Sequence, residues 1–113
     1  MDENKVIEEK VIRALAALAH PLRLKIFRAL VVAGPGGMTP GVMQDGLGVP
    51  GTTLSFHLKD LAAAELVTVE RASRNLVYRA SYDRMNSLLG YLTENCCAGA
   101  TCAIDSASAA CVC

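Results

Sequence analysis

All five cysteines of this 113-residue chain lie between residues 96 and 113, and none occurs before them. Cysteine thiolates are soft ligands, and several of them close together select a thiophilic ion. The clustering therefore predicts a site for a soft metal or metalloid near the C-terminal end. The rest of the chain has to indicate what such an ion controls.

The spacing of the first three cysteines limits how they can meet. Cys96 and Cys97 are adjacent, and successive side chains on a helix diverge by about 100°. They can converge on one atom only where the helix has ended. Gly99 permits a tight reversal, after which Cys102 can return as a third ligand. Three thiolates suit a pyramidal trivalent ion, so Cys96, Cys97 and Cys102 are predicted ligands for arsenite or antimonite.

The last two cysteines leave alternatives open. Zinc prefers four tetrahedral ligands, and Cys111 or Cys113 could supply the fourth. The two could instead form a second, weaker site. Cysteines can also be merely tolerated in a reducing cell, although exposed thiols are a liability. The N-terminus carries no secretory signal, and an odd cysteine count fits a disulfide framework poorly. We therefore expect a cytoplasmic protein with free thiols.

Charge distribution is more informative than net charge, which is zero. Residues 11–44 contain four basic side chains and no acid, and residues 71–84 contain four arginines against one aspartate. Either region could face DNA, or could simply be a solvated helix face. No run of about 18 apolar residues occurs, so no membrane-spanning segment is expected.

Periodicity and breaks in the sequence predict a short series of elements. His20-Pro21, the glycines at 34–37, Thr39-Pro40 and Gly48 separate amphipathic stretches. The predicted helices cover residues 5–19, 21–32, 40–47, 50–64 and 82–95, with strands at 66–71 and 75–79. The expected fold is mainly α with a small β-hairpin, in the order α-α-α-α-β-β-α of a winged helix-turn-helix. Residues 1–95 would form the DNA-binding and dimerisation domain, and 96–113 a cysteine-rich metalloid-binding tail.

Two stretches of the chain resemble a known family. Residues 17–30, ALAHPLRLKIFRAL, and residues 52–61, TTLSFHLKDL, are similar to the second helix and the recognition helix of the ArsR/SmtB family of metal-responsive repressors. The resemblance covers about residues 10–92. It implies a homodimer that binds double-stranded operator DNA and leaves it when metal binds. The apolar stripes of helices 5–19 and 82–95 indicate the dimer contact.

The chain departs from the two best-known metal sites of that family. Its third helix, PGVMQD, lacks the cysteine pair of many arsenic-responsive members. Its last helix has Asp83, but no histidine follows as in zinc-responsive members. The cysteine tail stands in place of both sites, and it resembles arsenic repressors whose site lies after the last helix.

The fourth helix would be the DNA-reading helix. Leu54, Leu58 and Leu61 share one face and should pack inward, leaving polar side chains outward. Such side chains enter the major groove, while arginines at a wing tip reach the minor groove or backbone. Phe56 could instead pack on the third helix, His57 could be half-buried with a satisfied ring, and a hairpin arginine can serve solubility alone. The predicted DNA contacts are Thr52, Thr53, Ser55, Phe56, His57, Lys59, Arg71 and Arg74.

These observations predict a repressor that releases operator DNA on binding arsenite or antimonite, with no catalytic activity and no organic cofactor. Zinc, cadmium or an organoarsenical are alternative inducers. A thiol enzyme such as an arsenate reductase is less consistent, because no Cys-x-x-Cys follows a strand and no glycine-rich phosphate loop accompanies a thiol. A metal carrier would leave the reading helix and wing unexplained. The operator sequence stays open.

Overall fold

The computed structural model describes residues 3–99, so Cys102, Cys111 and Cys113 lie outside the described residues. Five helices and one hairpin follow in the predicted order, which confirms the winged helix-turn-helix. Their bounds are α1 Glu3–Leu18, α2 Pro21–Ala33, α3 Pro40–Leu47, α4 Gly51–Ala63, β1 Val67–Ala72, β2 Asn75–Ala80 and α5 Tyr82–Thr93. Two short 3-10 turns, Gly34–Gly36 and Cys96–Gly99, were not predicted.

Side-chain caps explain where three of the helices begin. The Nδ1 of His20 accepts a hydrogen bond from the Leu22 amide at 3.2 Å, and Pro21 then opens α2. Thr39 caps α3 in the same way, and Ser81 caps α5. Each cap satisfies an amide that has no partner within its own helix. The helix starts are thus determined by local sequence.

The hairpin carries a third extended segment at its base. β1 and β2 are antiparallel, with a register that runs from Val67 opposite Ala80 to Ala72 opposite Asn75. Met38, just before α3, exchanges two backbone hydrogen bonds with Tyr78 of β2, at 2.9 and 2.8 Å. This bridge joins the start of the helix-turn-helix to the wing.

The core lies between α1, α2, α3, α4 and the base of the hairpin, with Leu88 of α5 also buried against it. Its members are mostly aliphatic, as expected for a chain with few aromatic residues. The largest side chains that are fully buried are Ile26, Leu30, Met43, Leu54, Leu58, Leu61 and Leu66. Each would leave a cavity if shortened, at a cost of about 2–5 kcal/mol for a change to alanine. α4 is therefore held firmly along its inward face.

Two helices leave apolar side chains without partners in a single chain. The exposed ones on α1 and α5 are Val6, Ile7, Ile12, Leu15, Leu89, Tyr91 and Leu92. Exposed apolar side chains concentrated on two helices are typical of an interaction surface. Among the described residues, no helix is long and apolar enough to cross a membrane.

Candidate nucleic-acid interface and cysteine site

The two faces of α4 divide as the sequence predicts. Leu54, Leu58 and Leu61 are buried, with exposures of 0 to 1%. Thr52, Ser55, Phe56 and Lys59 are exposed, and Thr53 is half-buried. Hydroxyl and ammonium groups on this face can bond to bases and phosphates. The second helix of the helix-turn-helix thus presents a polar surface for a major groove.

Phe56 is an apolar ring on that polar surface. Its side chain is 64% exposed, so the alternative interpretation, in which it packs against the third helix, would bury little of it. Its ring meets the His57 ring edge to face, with centroids 5.5 Å apart. An exposed ring of this kind is suited to apolar contact with a thymine methyl group.

His57 does not join the exposed face. Only 7% of the residue is exposed, and its ring lies 4.6 Å from the ring of His20 at the start of α2. Its Nδ1 atom is buried and has no hydrogen-bond partner among the described residues, so the ring is not satisfied as the sequence suggested. The side chain points toward the start of α2 and does not lie on the exposed face of α4, so a contact of His57 with DNA stays a prediction.

Burial lowers the pKa of His57 below its ordinary value, since the charged imidazolium loses its hydration. The nearby His20 and Arg23 lower it further, and only Asp60 opposes them. Arg23 itself lies 3.7 Å from the Asp60 carboxylate. The neutral form of His57 is the one that suits this environment.

The wing tip leaves its two arginines available. Arg71 and Arg74 are both exposed, and neither forms an ion pair within residues 3–99. The turn between the strands contains Ser73, whose φ of 61° lies in the left-handed region. The tip thus carries two unneutralised cations, as a contact to DNA phosphates requires.

One residue that anchors the wing was missed from the sequence. Arg79 of β2 donates from Nε to the Pro35 carbonyl at 2.7 Å and from Nη1 to the Glu70 carboxylate at 3.0 Å. The side chain thereby ties the wing to the loop that precedes α3. No local signal reveals this, because Pro35 is 44 residues away in the chain.

The backbone around the first two cysteines has left the helix. α5 ends at Thr93, and Asn95, Cys97 and Ala98 have φ values of 58°, 57° and 57°, in the left-handed region. Cys96 and Cys97 were expected to converge on one atom only where the helix has ended, and the helix has ended here. Within residues 3–99, no three His, Cys, Asp or Glu side chains lie close enough to hold a metal ion. The predicted third ligand, Cys102, lies outside the described residues.

Comparison with known proteins supports the architecture. A family model described as a helix-turn-helix domain matches residues 18–70. The nodulation protein NolR of Rhizobium meliloti is 34% identical over 80 residues, which are 71% of this chain and 63% of NolR. The chain thus spans less than two thirds of that relative's length.

Two solved structures extend the comparison. The homodimeric winged helix-turn-helix DNA-binding domain Mb0332 of Mycobacterium bovis, described as a possible ArsR-family transcriptional regulator, superposes with a TM-score of 0.66 at 26% identity. The match covers 84% of this chain and 88% of that one. The cadmium metal-sensor CmtR of Mycobacterium tuberculosis gives a TM-score of 0.55 at 30% identity, over 74% of this chain and 82% of CmtR. The chain is thus similar in fold to winged helix-turn-helix proteins, one of which is described as a possible ArsR-family transcriptional regulator.

Proposed function

We propose that this chain is a transcriptional repressor that binds operator DNA as a homodimer. The observation that supports this best is the polar outward face of α4 beside a wing whose Arg71 and Arg74 carry no ion-pair partner within the described residues. A helix in the major groove and a cationic tip on the adjacent backbone form one continuous DNA surface. Nothing in that arrangement calls for catalysis.

The dimer follows from the apolar surface on α1 and α5. Leu89 and Leu92 of α5 are 45% and 55% exposed, and Ile12 of α1 is 57% exposed. Burying these side chains against a second copy would remove them from water and, by two-fold symmetry, pair two reading helices. Half-sites about one DNA turn apart would then be read together. The homodimeric state of Mb0332 supports the same arrangement.

The inducer we propose is trivalent arsenic or antimony, held by Cys96, Cys97 and Cys102. The residues fit such an ion because the left-handed backbone at Asn95 and Cys97 takes the adjacent cysteines off the helix. Three sulfurs supply a soft, pyramidal donor set. Zinc and cadmium are the alternative inducers. The similarity to a cadmium sensor supports cadmium as one of them.

The DNA-binding function is tested with a fluorescent duplex from the region upstream of the protein's own coding sequence. We expect specific binding that survives excess unrelated DNA, with a dissociation constant of about 10⁻⁸–10⁻¹¹ M at physiological salt. A Thr52→Glu, Lys59→Glu variant places two acids on the reading face and should lose that binding. Equal binding to unrelated DNA, or unchanged binding by the variant, would remove α4 as the reading helix.

A further inference from the structure

The turn that follows the reading helix is built on an unusual residue. The amide of Glu65 donates to the Ala62 carbonyl and that of Leu66 to the Leu61 carbonyl, both at 3.0 Å. This pair of bonds is the Schellman ending of a helix, in which the residue at the Glu65 position is normally glycine. Glu65 adopts the required left-handed backbone, with a φ of 63°. A glutamate at this position calls for an explanation beyond the turn itself.

The Glu65 side chain reaches both helices of the proposed dimer contact. Its Oε2 accepts a hydrogen bond from Nη2 of Arg84, in the first turn of α5, at 2.6 Å. The same oxygen lies 4.0 Å from the ammonium nitrogen of Lys10 on α1. One carboxylate therefore connects the end of the reading helix with α1 and α5.

The ion pair between Glu65 and Arg84 lies beside a solvent-accessible cleft and outside the packed core. Glu65 and Arg84 border a polar cleft of about 290 Å³ that also touches the base of the hairpin. The guanidinium of Arg84 engages Glu65 through Nη2, while its buried Nε has no hydrogen-bond partner among the described residues. The carboxylate is half exposed, and ion pairs of that kind contribute little to folding stability. The arrangement is better suited to fixing an orientation than to stabilising the fold.

We infer that Glu65 is a positioning residue, which sets the orientation of the reading helix relative to the dimer helices. This inference rests on the proposed function, because orientation matters when two reading helices must meet two half-sites at once. A single half-site needs only one reading helix, so its affinity does not depend on the connection. Removing the carboxylate should therefore weaken binding to the full operator and spare binding to a half-site.

The Glu65→Gly variant tests this, since glycine suits the left-handed turn and keeps the fold. We expect full-operator affinity to fall about 2- to 5-fold, the size expected for loss of a half-exposed ion pair, with half-site affinity and dimerisation unchanged. Arg84→Ala should reproduce the loss. Asp83→Asn, which removes a charge from the same turn of α5 but from no ion pair within residues 3–99, should not.

A second measurement needs no DNA, so it separates this inference from the proposed function. A spin label carried by an unnatural amino acid at position 45, exposed on α3, reports the distance between the two reading units of a dimer. We expect a narrow distribution for the otherwise unaltered protein and a broad one for Glu65→Gly. Identical distributions, or an equal loss of full-operator and half-site affinity, would overturn the role of Glu65. Failure of the unaltered protein to bind DNA would count against the proposed function alone.

Discussion

His57 shows how far a single side chain can depart from its sequence pattern. It lies at the edge of the buried face of α4, where helical periodicity alone permits either burial or exposure. His57 is buried partly because the ring of His20, 37 positions earlier in the chain, lies against its ring, with the centroids 4.6 Å apart. The leucines of the same helix could be predicted because their burial follows from a repeat that is local.

The His57 environment makes stability depend on pH. Its pKa is lowered in the folded state, chiefly by burial, so the unfolded chain binds the proton more readily below the ordinary value of about 6.5. Stability should be fully present above that value and should fall as pH drops below it. Urea unfolding at pH 8 and pH 5.5 measures the difference, which should shrink in His57→Gln. An equal pH dependence in that variant would contradict the assignment.

The wing arginines make a separate prediction about DNA. Arg71→Ala or Arg74→Ala should weaken binding to all sequences and reduce the slope of log affinity against log salt by about one unit per lost phosphate contact. Arg13→Ala, an exposed arginine on α1, is the matched control and should change neither quantity. Binding isotherms at several salt concentrations give both values. An unchanged slope in the wing variants would mean that the tip does not touch DNA.

At the scale of elements, the order and type of the helices and strands could be predicted from the sequence. The contact between the segment before α3 and the wing could not. Caps such as Thr39-Pro40 and Ser81 are local signals, so helix starts agree within a residue or two. The bridge between Met38 and Tyr78 could not be predicted, because a single extended residue has no periodicity. The 3-10 turn at Cys96–Gly99 was foreseen only as a place where the helix must have ended.

A substitution at Gly37 tests whether stability depends on the contact between the segment before α3 and the wing. It has a φ of 71°, and a Cβ there would lie 2.6 Å from the Tyr78 carbonyl oxygen, a backbone atom that cannot move aside easily. Gly37→Ala should lower the free energy of unfolding by about 1–3 kcal/mol. Gly36→Ala is the control, since a Cβ at that position meets nothing within 4 Å. Urea unfolding compares the two, and equal stability would show that the contact is not needed.

At the scale of the whole molecule, the apolar surface on α1 and α5 predicts an obligatory pairing. Leu92→Glu, with Leu89→Glu as a second variant, should shift the dimer to a monomer and weaken operator binding. Val32→Glu is the control, because Val32 is 79% exposed and lies on α2, which is not one of the two helices of the proposed contact. Sedimentation velocity at micromolar concentration distinguishes the states. A monomeric unaltered protein, or dimeric α5 variants, would require another role for this surface.

The claim that joins these scales is that a metalloid at the cysteines releases DNA held by α4 and the wing. The direct measurement is operator binding by reduced protein, followed by fluorescence anisotropy, as arsenite is added. We predict that affinity falls about 5- to 150-fold, and that Cys96→Ser, Cys97→Ser and Cys102→Ser still bind DNA but no longer respond. The Cys111→Ser, Cys113→Ser double variant should respond almost normally. Release of the Cys96 or Cys97 variants at the same arsenite concentrations as the unaltered protein would contradict the account.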